Sequence, residues 1–420
     1  MSNNQRIVVT GLGAMTPFGA GVSLFWDELI ASRSAVSQTE DDYLRQWAPV
    51  IARFSGFDPK DYLERKSIQR TDRFSQLGLV AAQEALRDAG WSDKEALHDA
   101  YSRHRMGISI GCAYGGVQTL EQGAGRLATG SSTRVSPRLV PKSMPNAAGA
   151  EIARQYEMTG PVMTYSTACA SSANAIGEGS DWLRLGKADM VLAGGAECLF
   201  SPSILAGLRA SQAIATTGPE NDSEWSRPFD RERQGMVMGE GAAMLVLETL
   251  EHAQARNATI YAELTGYGAS NDAYHETAPD PKGFGAKNAI QEALNRAEID
   301  AEAIDYINAH ATATFAGDQA ESATLSDVFG QQLEQIPVSS IKGAIGHLLG
   351  AAGAIESIAS IKALETQTLP PTLNCTDKDD TAPPDIVPNH SRPGNISSVL
   401  SNSFGFGGQN GVLIWQQVNR

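Results

Sequence analysis

The chain has 420 residues, of which 42% are hydrophobic and 19% charged, the usage of an ordinary globular protein rather than a disordered or fibrous one. Its 33 basic and 48 acidic side chains leave a net charge of −15, which argues against wholesale binding to nucleic acid, since that needs clustered Lys and Arg. Four cysteines (Cys112, Cys169, Cys198 and Cys375), none in a C-x-x-C pair, suggest neither a disulfide scaffold nor a structural zinc site. No run of about 18 apolar residues offers a membrane span, and residues 1–6 lack the charged-then-apolar pattern of a secretory signal, so a reducing cytoplasmic setting is expected.

Residues 6–10 read as a first buried strand. The glycines after it, Gly11 and Gly13, invite a dinucleotide reading, but the third glycine of that fingerprint falls at Thr16 and Pro17 follows. A tight turn after a buried strand is the better reading. The densest basic run, Arg65-Lys66-Ser67-Ile68-Gln69-Arg70-Thr71-Asp72-Arg73, comes next and leads into a helix predicted over 76–89. Strand-like stretches then follow at 106–111, 162–166, 190–193, 244–247, 304–308, 337–341 and 412–415. Amphipathic helices are predicted between them at 173–185, 287–297 and 351–363. That alternation predicts an α/β protein with a mostly parallel sheet covered by helices, and several strands read apolar on both faces, as buried parallel strands do. The irregular stretches 130–146, 216–233 and 375–394 read as surface or lid-like loops.

Chemistry concentrates where strands give way to helices. Cys169 stands in Tyr165-Ser166-Thr167-Ala168-Cys169-Ala170-Ser171-Ser172, after a strand and before a helix of small residues. A thiol at a helix N-terminus gains from the macrodipole and free backbone N–H groups, which favour thiolate. Local sequence alone leaves open whether Cys169 is reactive or a small core residue. Cys112, Cys198 and Cys375 lack that setting and read as packing. His310, in Asn308-Ala309-His310-Ala311-Thr312-Ala313-Thr314, and His347, in Gly346-His347-Leu348-Leu349-Gly350, occupy similar junctions among residues too small to fill space. The other five histidines lie in polar, loop-like contexts. Near the end, Asn402-Ser403-Phe404-Gly405-Phe406-Gly407-Gly408 could turn backbone N–H groups towards an oxyanion, or be a plain turn between strands.

Together these residues resemble the β-ketoacyl-acyl carrier protein synthases, condensing enzymes of thiolase fold, and among them the elongating type II enzyme of bacterial fatty-acid synthesis. The likeness spans essentially the whole chain. Its marks are Thr167-Ala168-Cys169, His310 with Thr312 and Thr314, Lys342 five residues before His347, the Gly346–Gly353 run and the glycine-rich tail. The resemblance implies a five-layered αβαβα fold of two similar halves, 1–258 carrying the nucleophile and 259–420 carrying both histidines. It also implies a homodimer, an acyl carrier protein as partner, and neither cofactor nor metal.

By that resemblance Cys169 takes the acyl chain as a thioester. His310 and His347 promote decarboxylation of the malonyl carrier and stabilise the enolate as neutral hydrogen-bond donors. The amides of Cys169 and Phe406 form an oxyanion hole, while Lys342 paired with Glu356 orders the site. Thr312 and Thr314 hold the pantetheine arm, beside Phe404. Phe406 is a gating aromatic with Gly405, Gly407 and Gly408 as hinges. Lys66, Arg70 and Arg73 match a carrier-docking stretch. Three departures stand out: Ala311 and Ala313 replace a usual Gly and Ser, Gln409 replaces a Thr, and Tyr114 falls where the elongating enzyme has an aliphatic wall residue of its acyl tunnel. A phenol at Tyr114 removes volume and favours short, unsaturated or aryl acyl groups. Fatty-acid elongation is the leading expectation, with a polyketide or aryl-polyene ketosynthase as the alternative. A non-catalytic chain-length factor or a hydrolase fits the Cys169, His310 and His347 set less well.

Overall fold

The computed structural model describes residues 5–131 and 134–418, so residues 132 and 133 of the loop predicted over 130–146 lie outside the described residues. The first half is built from strands β1 (Ile7–Thr16), β2 (Met106–Gly111), β3 (Val162–Tyr165), β4 (Met190–Glu197) and β5 (Gly241–Thr249) with helices α1 (Arg73–Asp88), α2 (Ala147–Tyr156) and α3 (Ser171–Arg184). The second half repeats the pattern with β6 (Ala262–Asn271), β7 (Tyr306–Asn308), β8 (Val338–Ser339), β9 (Ser398–Gly405) and β10 (Gln409–Gln416), and with α4 (Phe284–Ala297), α5 (Phe315–Phe329) and α6 (Ala352–Thr366). The spatial order is β1-β5-β4-β2-β3 in one half and β6-β10-β9-β7-β8 in the other, which is the same permutation. A short antiparallel register, Val8 opposite Glu263 and Val9 opposite Ala262, joins the halves at a seam.

The sheet is mixed, which corrects the expectation of a mostly parallel one. β2 runs parallel to β3 and β4, and β7 runs parallel to β8 and β9. β5, however, inserts antiparallel between β1 and β4, as β10 does between β6 and β9. Strand–helix alternation locates the last strand of each half, at 244–247 and 412–415, but not its antiparallel return beside the sheet. β6 and β9 were absent from the predicted elements altogether. Their sequences, AELTGYGASN and SVLSNSFG, dilute the apolar signal with Gly, Ser and Asn.

Five layers result: α1 and α2, the first sheet, α3 with α6, the second sheet, and α4 with α5. Sandwiching explains why β1, β4 and β5 are buried at every position and read as apolar on both faces. It also corrects the prediction that the helices at 173–185 and 351–363 are amphipathic. Eleven of fourteen α3 residues and nearly all of α6 are buried, because a helix between two sheets has no solvent face. Hydrophobic clusters fill the interlayer spaces, with Phe74, Ile108 and Met244 on the outer side of the first sheet. Ile176, Ile355 and Trp415 surround the central helices, and Ile290, Leu325 and Val412 lie outside the second sheet. Gly11 and Gly13 belong to this packing, since a Cβ on either would sit 2.3 and 2.0 Å from the Ala85 and Ala81 carbonyl oxygens of α1. They are close-approach glycines, not a phosphate turn. Among the described residues no helix is long and apolar enough to cross a membrane.

Candidate active site

β3 ends at Tyr165, and the chain turns through one 3-10 turn, Ala168–Ala170, directly into α3. Ala168 has φ 49°, a left-handed conformation that costs a residue with a Cβ about 1–3 kcal/mol. Ser171 holds the turn: its hydroxyl accepts the Thr167 N–H at 2.9 Å and donates to the Ala168 carbonyl at 2.6 Å. The strain places Cys169 on the turn, where it lines cavities on two sides.

The second half delivers two imidazoles to the same point. His310 follows β7, and α5 returns Glu321 beneath it, whose carboxylate accepts the His310 N–H at 2.9 Å, the Ala311 N–H at 2.7 Å and the Asn402 Nδ2 donor at 2.9 Å. His347 precedes the 3-10 turn Leu349–Ala351 that leads into α6. The two rings meet edge-on with centroids 5.3 Å apart, and Phe404 packs on His310 at 6.0 Å. The Cys169 sulfur and one nitrogen from each imidazole lie within 4.8 Å of one another. Lys342 and Glu356 form a fully buried ion pair behind them. Such a pair costs several kcal/mol of desolvation, an amount that a few core side chains at about 1.5–3 kcal/mol each offset.

Burial drives both imidazoles well below the usual histidine range, and the Lys342 charge pushes the same way, so both rings are neutral. The Leu349 N–H donates to His347 Nδ1 at 3.3 Å, which puts the ring proton on Nε2. That Nε2 is buried without a partner among the described residues, as a donor awaiting an acceptor. The same tautomer makes His347 a poor metal ligand, although Cys169, His310 and His347 have the donor types for one. The thiol corrects the sequence expectation. Burial pushes Cys169 up to about 12, against the lowering effect of the Lys342 charge and of the Phe406 and Cys169 amides. At rest it is a neutral thiol, because two sheets remove more water than a helix end can replace.

The Gly405–Gly408 turn closes the site from the β9–β10 side. A Cβ on Gly405 would stand 2.8 Å from the Thr167 carbonyl oxygen and 2.9 Å from the Cys169 nitrogen, so only glycine lets the Phe406 turn approach the Cys169 amide. Gly407 has φ 74°, and its N–H is held by the Glu276 carbonyl at 2.8 Å. On one side of Cys169 a channel is lined by His310, Thr312, Thr314, His347, Phe404 and Phe406, and the two threonine hydroxyls are 3.0 Å apart. On the other side a cavity is lined by Tyr114, Leu199, Ile204, Leu208, Leu349 and Phe406. Tyr114 thus reaches the predicted wall, with 53% of its surface exposed. Ala311 lies outside the positive-φ residues, so the missing glycine costs nothing there. Ala313, at φ 65°, takes the left-handed position instead.

The basic run divides. Lys66 and Arg70 are exposed on the short helix Arg65–Arg70. Arg73 is not available for docking: its guanidinium makes two 2.6 Å hydrogen bonds to the fully buried Glu240 and covers Phe57. Sequence reasoning gave Asn402, in the glycine-rich tail, no role of its own, and it missed Glu321, Glu197 and Arg233, which donates to the Phe315 carbonyl beside Thr314 and pairs with Asp318 and Asp379. Asp318 and Glu321, three apart on the buried face of α5, were the available signal, since carboxylates rarely face a core without a task.

Comparison with known proteins follows the same lines. The N-terminal domain of β-ketoacyl synthases matches residues 4–253 and the C-terminal domain matches residues 261–376. A Coxiella burnetii protein named 3-oxoacyl-[acyl-carrier-protein] synthase 2 is 39% identical over 99% of this chain and 99% of its own. A β-ketoacyl synthase from Burkholderia phymatum superposes with a TM-score of 0.91 at 37% identity, covering 99% of this chain and 100% of that one. A ketosynthase bound to a hexaketide, solved in complex with its type II polyketide acyl-carrier protein, gives 0.89 at 32% identity, with the same coverage.

Proposed function

The chain belongs to the β-ketoacyl synthases and is a condensing enzyme; from that premise we propose that it elongates an acyl group held on Cys169 by decarboxylative condensation with malonyl-acyl carrier protein in fatty-acid synthesis. The observation that carries the reading is the convergence of Cys169, His310 and His347 within 4.8 Å where two cavities meet.

In the first stage the Cys169 proton passes to His310, whose tautomer no backbone amide fixes among the described residues, as sulfur attacks the acyl-carrier thioester. The oxyanion is held by the Cys169 and Phe406 amides, an interaction of about 3–4 kcal/mol. Collapse breaks the carrier's C–S bond, and His310 returns the proton to the departing thiol. In the second stage the malonyl arm lies along Thr312 and Thr314, and its carboxylate leaves as CO2. The bonding pair becomes an enolate whose oxygen accepts from His347 Nε2–H. The enolate carbon attacks acyl-Cys169, a C–C bond forms, the C–S bond breaks, and the sulfur takes up one proton from solvent. Burial keeps both rings neutral, and the charge of Lys342, held by Glu356, adds to that effect. The division between residues 258 and 259 separates the nucleophile-bearing half from the histidine-bearing half.

The carrier protein is proposed to dock on Lys66 and Arg70. The patch extends through Arg138, which donates to the Gln69 carbonyl at 3.4 Å, to a hollow also lined by Arg126 and Lys142. A homodimer is proposed across the β3 edge, where Met163 is 55% exposed, with Leu120 on the helix Val117–Ala128 and Val140 and Met144 on and just after the helix Leu139–Ser143 as further exposed apolar side chains. Four buried, unbonded cysteines fit a reducing cytoplasm. A polyketide or aryl-polyene ketosynthase is the second reading, favoured by Tyr114 on the acyl cavity. Incubation with acyl carrier and carboxyl-labelled malonyl carrier tests the proposal. Equal amounts of labelled CO2 and a 3-oxoacyl carrier two carbons longer are expected. Free fatty acid as the sole product would overturn it in favour of hydrolysis.

A further inference from the structure

β4 ends on Glu197, whose side chain is wholly buried although it takes no part in the chemistry above. Its carboxylate accepts the Ala113 N–H at 2.5 Å and faces the Cys112 thiol at 3.7 Å, and the Tyr114 and Gly115 amides also favour its charged form. Burial still pushes it up to about 7. A buried carboxylate is expensive, and one whose partners are the amides of a single turn fixes that turn. The same oxygen, Oε2, stands 2.5 Å from where a Gly350 Cβ would be, and that Cβ would lie 2.6 Å from the Ala113 nitrogen, so the carboxylate, residues 113–115 and the turn Leu349–Ala351 pack tightly together. Both turns supply wall to the acyl cavity, through Tyr114 and Leu349.

The second half contains the same device in the equivalent place. β7 corresponds to β2, and the turn after β7 is held by Glu321 through the His310 and Ala311 amides. There the carboxylate presents the imidazole used in the reaction. After β2 the corresponding turn presents Tyr114.

We infer that Glu197 is a positioning residue for acyl-chain selection, fixing the 113–115 turn so that the Tyr114 ring sets the length and shape of chain that Cys169 accepts. This rests on the condensing-enzyme reading. Releasing the turn lets the phenol withdraw, so longer chains gain relative to shorter ones.

The test is single-turnover acylation of Cys169, followed by intact mass, with acyl carriers from four to sixteen carbons. In Glu197→Gln the ratio of twelve- to four-carbon acylation rates is expected to rise about fivefold or more, within the range that a pocket wall controls. In a Tyr114→Ala background the same substitution is expected to leave the ratio unchanged, because Glu197 acts through that ring. Glu197→Asp, which keeps the charge and retracts it by one methylene, replaces Glu197→Gln if the latter does not fold. Equal slowing at every chain length, or a shift that persists undiminished without the Tyr114 ring, would overturn the inference and leave the parent reading intact. A wild-type protein that acylates Cys169 at no chain length would sink the parent reading, and the inference with it.

Discussion

The two halves share one strand order and put the same junctions to different uses. At the β3–α3 junction the first half supplies Cys169, and at the equivalent β8–α6 junction the second supplies His347. After β2 and β7 each half holds a turn with a buried carboxylate, presenting Tyr114 in one case and His310 in the other. The electrostatics diverge further. The first half offers a neutral thiol satisfied by amides, while the second holds imidazoles that burial keeps uncharged, with the cation of the buried Lys342–Glu356 pair pushing the same way. The repeated architecture explains how Cys169 and His347, far apart in sequence, come to face one another: each half contributes the mouth of one central helix.

That comparison can be broken by separating the duties. The largest effect is expected from Cys169→Ala, which removes the first half's contribution and lowers turnover by about a thousandfold or more while malonyl carrier still binds. A variant that elongates at a comparable rate would show that another group carries the acyl chain. Next is Arg73→Ala, which leaves Glu240 buried beside only the more distant Arg53, at 3.9 Å. A stability loss of about 3–5 kcal/mol in denaturant titration is expected, and unchanged stability would return Arg73 to the docking surface.

The protonation state of Cys169 sharpens the comparison further. With the thiol raised to about 12, alkylation of Cys169 should quicken about tenfold per pH unit between about pH 7 and pH 9 without levelling off. A plateau near neutrality would restore the thiolate read from the helix position. The imidazoles, depressed by burial, must be neutral to act, so the acid limb of the condensation profile should lie well below the ordinary histidine value. The smallest effect is expected at the docking patch, where charge reversal at Lys66 and Arg70 should raise KM for the carrier about tenfold at low salt and little at high salt. A salt-independent change would point to altered folding instead.

Much of this was legible in the sequence, for identifiable reasons. Cys169, His310 and His347 stood out because tiny residues flank them at strand ends, and β2, β4 and β5 because burial on both faces makes them continuously apolar. The protonation of Cys169 was not legible, since a helix terminus is a local feature whereas burial between sheets is a property of the assembled layers. The fate of Arg73 depended on Glu240, 167 residues away, and that of Glu197 on amides 84 residues away, separations at which no local pattern helps. β6 and β9 escaped because Gly, Ser and Asn dilute their apolar pattern, and Gly266 and Gly268 of β6 are needed for the close approach of α4.

The division of labour is tested most directly by following the mass of His347→Ala through one turnover. Acyl carrier alone should load Cys169 within about tenfold of the wild-type rate, and subsequent malonyl carrier should leave that thioester standing, with CO2 release slowed about a hundredfold or more. Failure to load the acyl group, or its consumption at the wild-type rate, would contradict the assignment of His347 as the enolate's donor and with it the separation of roles between the halves.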